Sequence, residues 1–197
     1  MIRNNYLKYL SCHCSCTEAL YDFASKLSPK EIENARSAKV SSIRSMVSSV
    51  QSEIHKMRGY VRLAPVDEIV LYGYLRPKHR IGEQVANIFA HRYPKTIIVL
   101  GNANNSWVSL YTAEGLYHMS SGPLDEVVEK LRQLTNSPDK VDTIENIWEC
   151  YYKSQYRPER RNLKYFHRNM TLTSLRSARL RTESNKCGNT LDKYMGV

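Results

Sequence analysis

The chain has 197 residues, of which 42% are hydrophobic and 24% are charged, which is ordinary for a globular protein. No apolar run reaches the roughly 18 residues that cross a bilayer, and the first residues lack the apolar core and cleavage signal of a secretory leader. These features exclude a membrane protein and predict one cytoplasmic domain with appendages, whose net charge of +10 points to an anionic partner.

A cysteine-rich segment comes first in the chain. Its four metal-ligating residues are Cys12, His13, Cys14 and Cys16. This spacing departs from structural zinc sites, whose ligand pairs are two to four residues apart with a second pair elsewhere. Three interpretations stay open: an adventitious metal or redox cluster, a metal site completed by Cys150 or Cys187, and a mobile terminus without a role. We predict no cofactor, and these four residues are the candidates if a metal binds.

Helices are predicted before the sheet. A short helix is expected over residues 17–26. Ser28, Pro29 and Glu31 then form a capping box with Pro at the first helical position. Apolar residues recur every three or four positions from there to Met57, which predicts one long helix that ends near Gly59.

From residue 60 the apolar period changes to two, which is typical of strands. A helix is predicted over residues 81–91, between the second and third strands. Another helix is predicted to start at Leu124, after the last strand. The predicted strands cover residues 60–63, 69–75, 96–100, 107–111 and 116–119. Because closely spaced strands with hairpin turns favour antiparallel pairing, we expect an α+β fold, with a mostly antiparallel sheet of about five strands and helices on one face.

The positive charge is concentrated towards the C-terminus. Residues 153–181 hold nine Lys or Arg and one acid, Glu159, and therefore eight of the ten net charges. One helix is predicted to end before Pro158 and a basic helix to start there. Nearby Tyr and Trp residues favour a polyanion-binding surface, because cations neutralise phosphates and aromatic rings stack on bases. The alternative is a solvated basic helix that keeps the protein soluble.

These elements predict three segments. A Cys-rich segment with a short helix covers residues 1–28, and one α+β domain covers residues 29–183. A disordered tail follows over residues 184–197, where Asn, Gly and Lys show no apolar periodicity.

Two stretches, residues 50–62 with His55-Lys56-Met57-Arg58-Gly59 and residues 157–164 with Glu159-Arg160-Arg161-Asn162, resemble the domain of unknown function 4130 family. Phe89-Ala90-His91-Arg92-Tyr93-Pro94 is similar to a third family pattern, and the resemblance covers roughly residues 30–183. It implies a DNA metabolism or repair module, often encoded beside a putative radical SAM protein or fused to a uracil-DNA glycosylase-like domain. Any linked catalysis would then come from a separate partner. The chain departs from the family after Met170, where Thr171 replaces the usual Pro.

The candidate nucleic-acid-binding residues fall into two groups. At the helix-to-strand junction they are His55, Lys56, Arg58 and Arg62. On the basic helix they are Arg157, Arg160, Arg161, Asn162, Lys164 and Arg168. Such donors suit phosphate contacts, although the first group could equally cap the helix C-terminus.

We predict a non-catalytic accessory module that binds nucleic acid, with DNA favoured, and no membrane. One alternative is an adaptor whose basic face docks an acidic protein, such as the repair enzyme. Another is an enzyme that acts on damaged nucleic acid. Its catalytic groups would come from histidines and carboxylates whose spacing matches no recognisable motif. These are His91, His118, His167, Asp67, Glu68, Glu83 and Asp125.

Overall fold

Helices lead into a five-stranded sheet. The computed structural model describes residues 5–34, 37–135 and 162–179. The helices are α1 (Tyr6–Cys12), α2 (Glu18–Ser25), α3 (Pro29–Asn34), α4 (Ala38–Tyr60), α5 (Gly82–Arg92), α6 (Leu124–Thr135), α7 (Leu163–Asn169) and α8 (Leu172–Ser177). The strands are β1 (Leu63–Asp67), β2 (Val70–Tyr74), β3 (Ile97–Gly101), β4 (Ser106–Thr112) and β5 (Gly115–Ser121).

The long helix expected from residue 28 to Gly59 is wrong as a single element. The capping box is present, with Glu31 Oε2 accepting from Ser28 N at 2.7 Å, but it opens only the six-residue helix α3. Ser37 is extended, and its hydroxyl accepts from Val40 N at 3.3 Å, so a second cap starts α4. A side-chain cap favours a new helix start even where the apolar stripe continues through it.

The sheet has the order β1-β2-β3-β4-β5, and it is mixed. β2 and β3 are parallel, whereas the other neighbouring strands are antiparallel. The expectation of a mostly antiparallel sheet is therefore corrected. The segment between β2 and β3 contains α5 and is long enough for a crossover, which lets the chain return in the same direction.

The first strand also differs from its prediction. β1 runs through Pro65 and Val66, which the sequence indicated as the hairpin loop. Because β1 lies at the edge of the sheet, it tolerates a proline, and its register shifts between Pro65 and Asp67. The positions of the other four strands agree with the sequence to within about two residues.

Helices cover both faces of the sheet, not one as expected. Alternate residues of β3 show this directly: Ile98 and Leu100 pack in a core with α4 and α5, whereas Val99 packs with Leu124 and Val128 of α6. α1, α2, α3 and the first half of α4 form a further apolar cluster of their own.

The last described helices return to the main core. Ala178, just after α8, is buried there, and Ser177 O accepts from Arg76 N at 2.8 Å. The predicted helix before Pro158 and the predicted tail lie outside the described residues. Within the described ranges, no helix is both long and apolar enough to cross a membrane.

Candidate functional site

A cleft of about 490 Å³ lies where α4 ends, β1 begins and α5 ends. Its floor is apolar, with Val61, Leu63 and Phe89. Its polar and aromatic walls come from His55, Arg58, Arg62, Arg92 and Tyr93. None of the described residues that line it is acidic. The cleft is thus a cationic site with an aromatic side chain at its rim.

Buried neighbours explain why these cations face outwards. Met57 and Val61 are 2% and 4% exposed, and Val61 N donates to Met57 O at 3.0 Å as the chain turns from α4 into β1. Anchoring these two residues leaves Arg58 and Arg62 in solvent. The junction therefore presents its charges because its apolar residues are fixed in the core.

The second wall comes from the last turn of α5. Phe89 is buried at 3% exposure, and the Arg92 guanidinium carbon lies 5.3 Å from the centre of its ring. Tyr93 follows as the C-terminal capping residue and is 40% exposed. Phe89 supports the cation while Tyr93 leaves a ring available to a ligand.

No acidic side chain among the described residues neutralises the cleft cations. Within the described part of the chain, no carboxylate forms an ion pair with Arg58, Arg62 or Arg92. Arg62 Nη1 donates to Gly59 O at 2.9 Å, which satisfies one carbonyl at the end of α4. Cations at helix C-termini complement the helix dipole, but the other guanidinium donors have no acidic partner in residues 5–34, 37–135 and 162–179 and suit an anion.

The predicted binding residues differ in where they lie relative to the cleft. His55, Arg58 and Arg62 line the cleft, whereas Lys56 is exposed on α4 without lining it. Asn162 has a structural role, since its Oδ1 accepts from Tyr165 N at 2.8 Å and caps α7.

Two further predicted residues, Lys164 and Arg168, are exposed on α7. The end of that helix meets the end of α4, because Tyr60 Oη donates to Asn169 O at 3.4 Å. Arg157, Arg160 and Arg161 lie outside the described residues.

Arg92 and Tyr93 were not among the predicted site residues. They belong to the Phe-Ala-His-Arg-Tyr-Pro segment, which the sequence marked only as similar to a family pattern and not as a binding site. The sequence did contain a signal for them. Arg92 and Tyr93 end a predicted helix with a cation and an aromatic ring, as Arg58 and Tyr60 do at the α4 junction.

A second cluster lies at the N-terminal segment. His13, Cys14 and His79 each place a potential ligand atom within 4.8 Å of the others. The two imidazole rings are 4.4 Å apart between centroids and tilted by 33°. Sequence reasoning named His13 and Cys14 but missed His79, which is 65 residues from Cys14 along the chain and only 3% exposed.

The other predicted metal candidates have different surroundings. Cys12 is 6% exposed, its thiol donates to Lys8 O at 3.1 Å, and burial raises its pKa. Cys16 is half-buried, and its thiol donates to Thr17 O at 3.7 Å. Neither belongs to the group around His79. Cys150 and Cys187 lie outside the described residues.

Burial favours the neutral form of both histidines of the cluster. Burial lowers the pKa of His79 below its ordinary value, an effect that the Glu53 carboxylate opposes and that His13 and Lys78 reinforce. Burial also lowers the pKa of His13, again reinforced by Lys78. Neutral imidazole keeps a lone pair for a hydrogen bond or a metal.

The histidines proposed for catalysis have ordinary contacts. His91 stacks on Tyr111 with centroids 4.3 Å apart, and its Nδ1 lies 2.8 Å from Asn87 O. His118 Nε2 lies 3.5 Å from Glu83 Oε1, with both side chains more than 40% exposed. Exposed pairs of this kind contribute little stability. The His167 side chain lies outside the description.

The fold and the cleft together define a class: an α+β domain with a mixed five-stranded sheet between helices and a cationic cleft at one end of its longest described helix. The family model described as a domain of unknown function (DUF4130) matches residues 15–175. The chain belongs to this family. The match begins before residue 30, where the sequence motifs placed it, and so includes part of the Cys-rich segment. No curated protein and no solved structure matches this chain.

Proposed function

We propose that this protein binds the phosphate backbone of nucleic acid, with DNA favoured, at the cleft between α4, β1 and α5. One observation carries the proposal: cationic residues from two segments distant in sequence, Arg58 and Arg62 on one side and Arg92 on the other, line one cleft that has no described acidic residue. Convergent guanidinium groups bind phosphate oxygens in bidentate geometry.

The size and lining of the cleft support a nucleotide as the bound unit. Its volume of about 490 Å³ falls in the ordinary range of small-molecule sites. The exposed ring of Tyr93 offers a surface on which a base stacks, and such stacking tolerates any base. The proposed site therefore reads backbone and base plane rather than sequence.

A longer strand would extend the interface towards α7. The contact between Tyr60 and Asn169 brings the end of this helix to the α4 junction, and Lys164 and Arg168 are exposed on it. We include both in the proposed surface, and Arg157, Arg160 and Arg161, which lie outside the described residues, stay predicted contacts. In DNA metabolism or repair, as the family resemblance implies, this module would hold the strand while a radical SAM or glycosylase-like partner supplies the chemistry.

Salt-dependent binding tests the proposal. Fluorescence anisotropy with single- and double-stranded oligonucleotides of DNA and RNA should give a linear fall of log affinity with log salt. Changing both Arg58→Ala and Arg62→Ala should lower the magnitude of that slope by about two, since each removed phosphate contact accounts for about one unit.

The matched control is Lys26→Ala with Lys30→Ala, which removes the same charge from exposed positions at the C-cap of α2 and in α3. It should leave the slope within about half a unit, because exposed charges more than a Debye length of about 10 Å from the bound strand are screened. If both double variants lowered the salt slope equally, the loss would follow from net charge alone, which would contradict a specific binding cleft. A folded protein that binds no oligonucleotide at low salt would contradict the function itself and favour an acidic protein as the partner.

A further inference from the structure

We infer that His13, Cys14 and His79 form a binding site for a divalent ion of the zinc class, independent of the cationic cleft. The three potential ligand atoms lie within 4.8 Å of one another, and they come from two segments of the chain. One thiolate and two imidazoles are a donor set that suits Zn²⁺.

The fit requires a small closure. Tetrahedral Zn²⁺ holds N and S ligands about 3.3–3.8 Å apart, so the separation of up to 4.8 Å must shrink by about 1 Å. Cys14 supplies part of that movement, because it is exposed and follows the end of α1, so that its side chain rotates without displacing a core residue while its backbone N–H leaves His79 Nδ1. His79 stays in place because it is buried.

The hydrogen bonds of His79 orient it as a ligand. Its Nε2 lies 2.9 Å from Ser49 Oγ, and its Nδ1 lies 3.4 Å from Cys14 N. When Nε2–H donates to Ser49, the lone pair of Nδ1 accepts from the Cys14 backbone N–H, and a metal bound at Nδ1 would replace that long contact. Metal-binding histidines characteristically donate their other ring N–H to such a partner, which fixes the ring and its tautomer.

The backbone that carries His79 is fixed as well. The Glu53 carboxylate of α4 accepts from Lys78 N at 2.7 Å and from His79 N at 3.0 Å. Its negative charge also offsets Lys78 and Arg80, the nearby cations that oppose a bound dication. Ser49 and Glu53 are therefore positioning residues for the site.

Binding has a defined proton balance. The Cys14 thiol loses its proton to solvent as the metal–sulfur bond forms, and both imidazoles bind as neutral ligands. Among the described residues, Cys12 and Cys16 lie outside the group, and we assign the fourth position to water.

Cobalt and zinc titrations of the full chain, purified under reducing conditions without nucleic acid, test the inference. We expect one Co²⁺ per chain with a thiolate-to-cobalt absorption band, and Zn²⁺ should displace it. Cys14→Ser should remove the band and weaken Zn²⁺ binding more than about tenfold, and His13→Gln should weaken it similarly.

Cys16→Ser is the matched control, since it changes a neighbouring thiol outside the group and should retain the band. His13 is half-exposed, so its variant keeps the test valid if replacing the buried His79 unfolds the chain. A folded chain without stoichiometric metal would overturn the inference, leaving the two rings as a packing contact. A band that survives Cys14→Ser, or that Cys16→Ser abolishes, would also overturn it.

Discussion

The cationic cleft and the His13–Cys14–His79 cluster lie along the same helix but are opposite in character. Ser49, which holds His79, and Arg58, which lines the cleft, are nine residues apart on α4, or about 14 Å. The cleft is open, cationic and unpaired with acids in the described chain, whereas the cluster is centred on a buried imidazole with hydrogen-bond partners on both nitrogens.

The difference separates two kinds of binding. A surface of exposed guanidinium groups suits a large anion that brings its own charge, because little desolvation is needed. A donor set of one thiolate and two imidazoles, in which His79 is buried, suits a small cation because its lone pairs converge on one ion. Variants that affect one region and spare the other test this separation.

The largest effect is expected from Phe89→Ala. The ring is buried beneath Arg92 and contributes to the main core, so its removal should cost about 3–5 kcal/mol in the free energy of unfolding. Chemical denaturation measures this loss, and oligonucleotide affinity should fall with it while metal binding persists. Phe23→Ala in the N-terminal cluster is the control, because it should destabilise the chain without lowering affinity in the folded fraction.

Gly82→Ala should be next in magnitude. Gly82 begins α5, and an added Cβ would collide with the indole of Trp107. The residues before α5 carry His79 and its last turn carries Arg92, so displacing this helix should weaken both regions. We expect a loss of about 1–3 kcal/mol in thermal or chemical unfolding.

Gly59→Ala is the comparison for that change. No atom lies within 4 Å of an added Cβ there, and the residue is helical, so stability should stay equal or rise. If Gly82→Ala were as neutral as Gly59→Ala, the close contact between α5 and Trp107 would not constrain the helix.

Ser49→Ala should separate the two regions most cleanly. Removing the hydroxyl leaves a buried nitrogen of His79 without its partner, which should cost about 1–2 kcal/mol. Zn²⁺ affinity should fall about 10–100-fold, while oligonucleotide affinity should not change. Ser48→Ala, at an exposed position of α4, should alter neither, and unchanged Zn²⁺ affinity in Ser49→Ala would contradict a positioning role.

The smallest effect is expected at the capping box, away from both regions. The Ser28 backbone N–H and then its hydroxyl lower the pKa of the Glu31 carboxyl. A lowered folded-state pKa means that this contribution is present above the unfolded pKa and is lost as pH falls through the folded one. Ser28→Ala should therefore slightly lower the melting temperature at neutral pH and reduce its acid dependence between about pH 5 and 3. Because Ser28→Ala keeps the backbone N–H, which is the larger cause, an identical pH profile in the variant would contradict a contribution from the hydroxyl.

Local signals in the sequence predicted much of the fold. The capping box at Ser28, the buried strand β3 and the hairpin between β4 and β5 each depend on neighbouring residues, and each is present. The cap at Ser37 was missed because the apolar stripe continues on both sides of it. The parallel pairing of β2 and β3 was missed because the relative direction of two strands in a sheet is a tertiary property.

Part of the candidate site could likewise be predicted from local sequence, and part depends on tertiary packing. Arg58 and Arg62 could be identified because one junction contains both. Their convergence with Arg92 depends on how α4 packs beside α5, which no local pattern encodes. His79 was invisible for the same reason, since only tertiary packing brings it to Cys14.

Pro65 has a consequence for how copies of this chain meet. A sheet edge invites pairing with another chain, and prolines and bulges oppose it. β1 has both, because Pro65 has no N–H to offer and the register shifts beside it. The edge strand that begins at Leu63, on the floor of the cleft, is therefore a poor template for intermolecular sheet growth beside the cations.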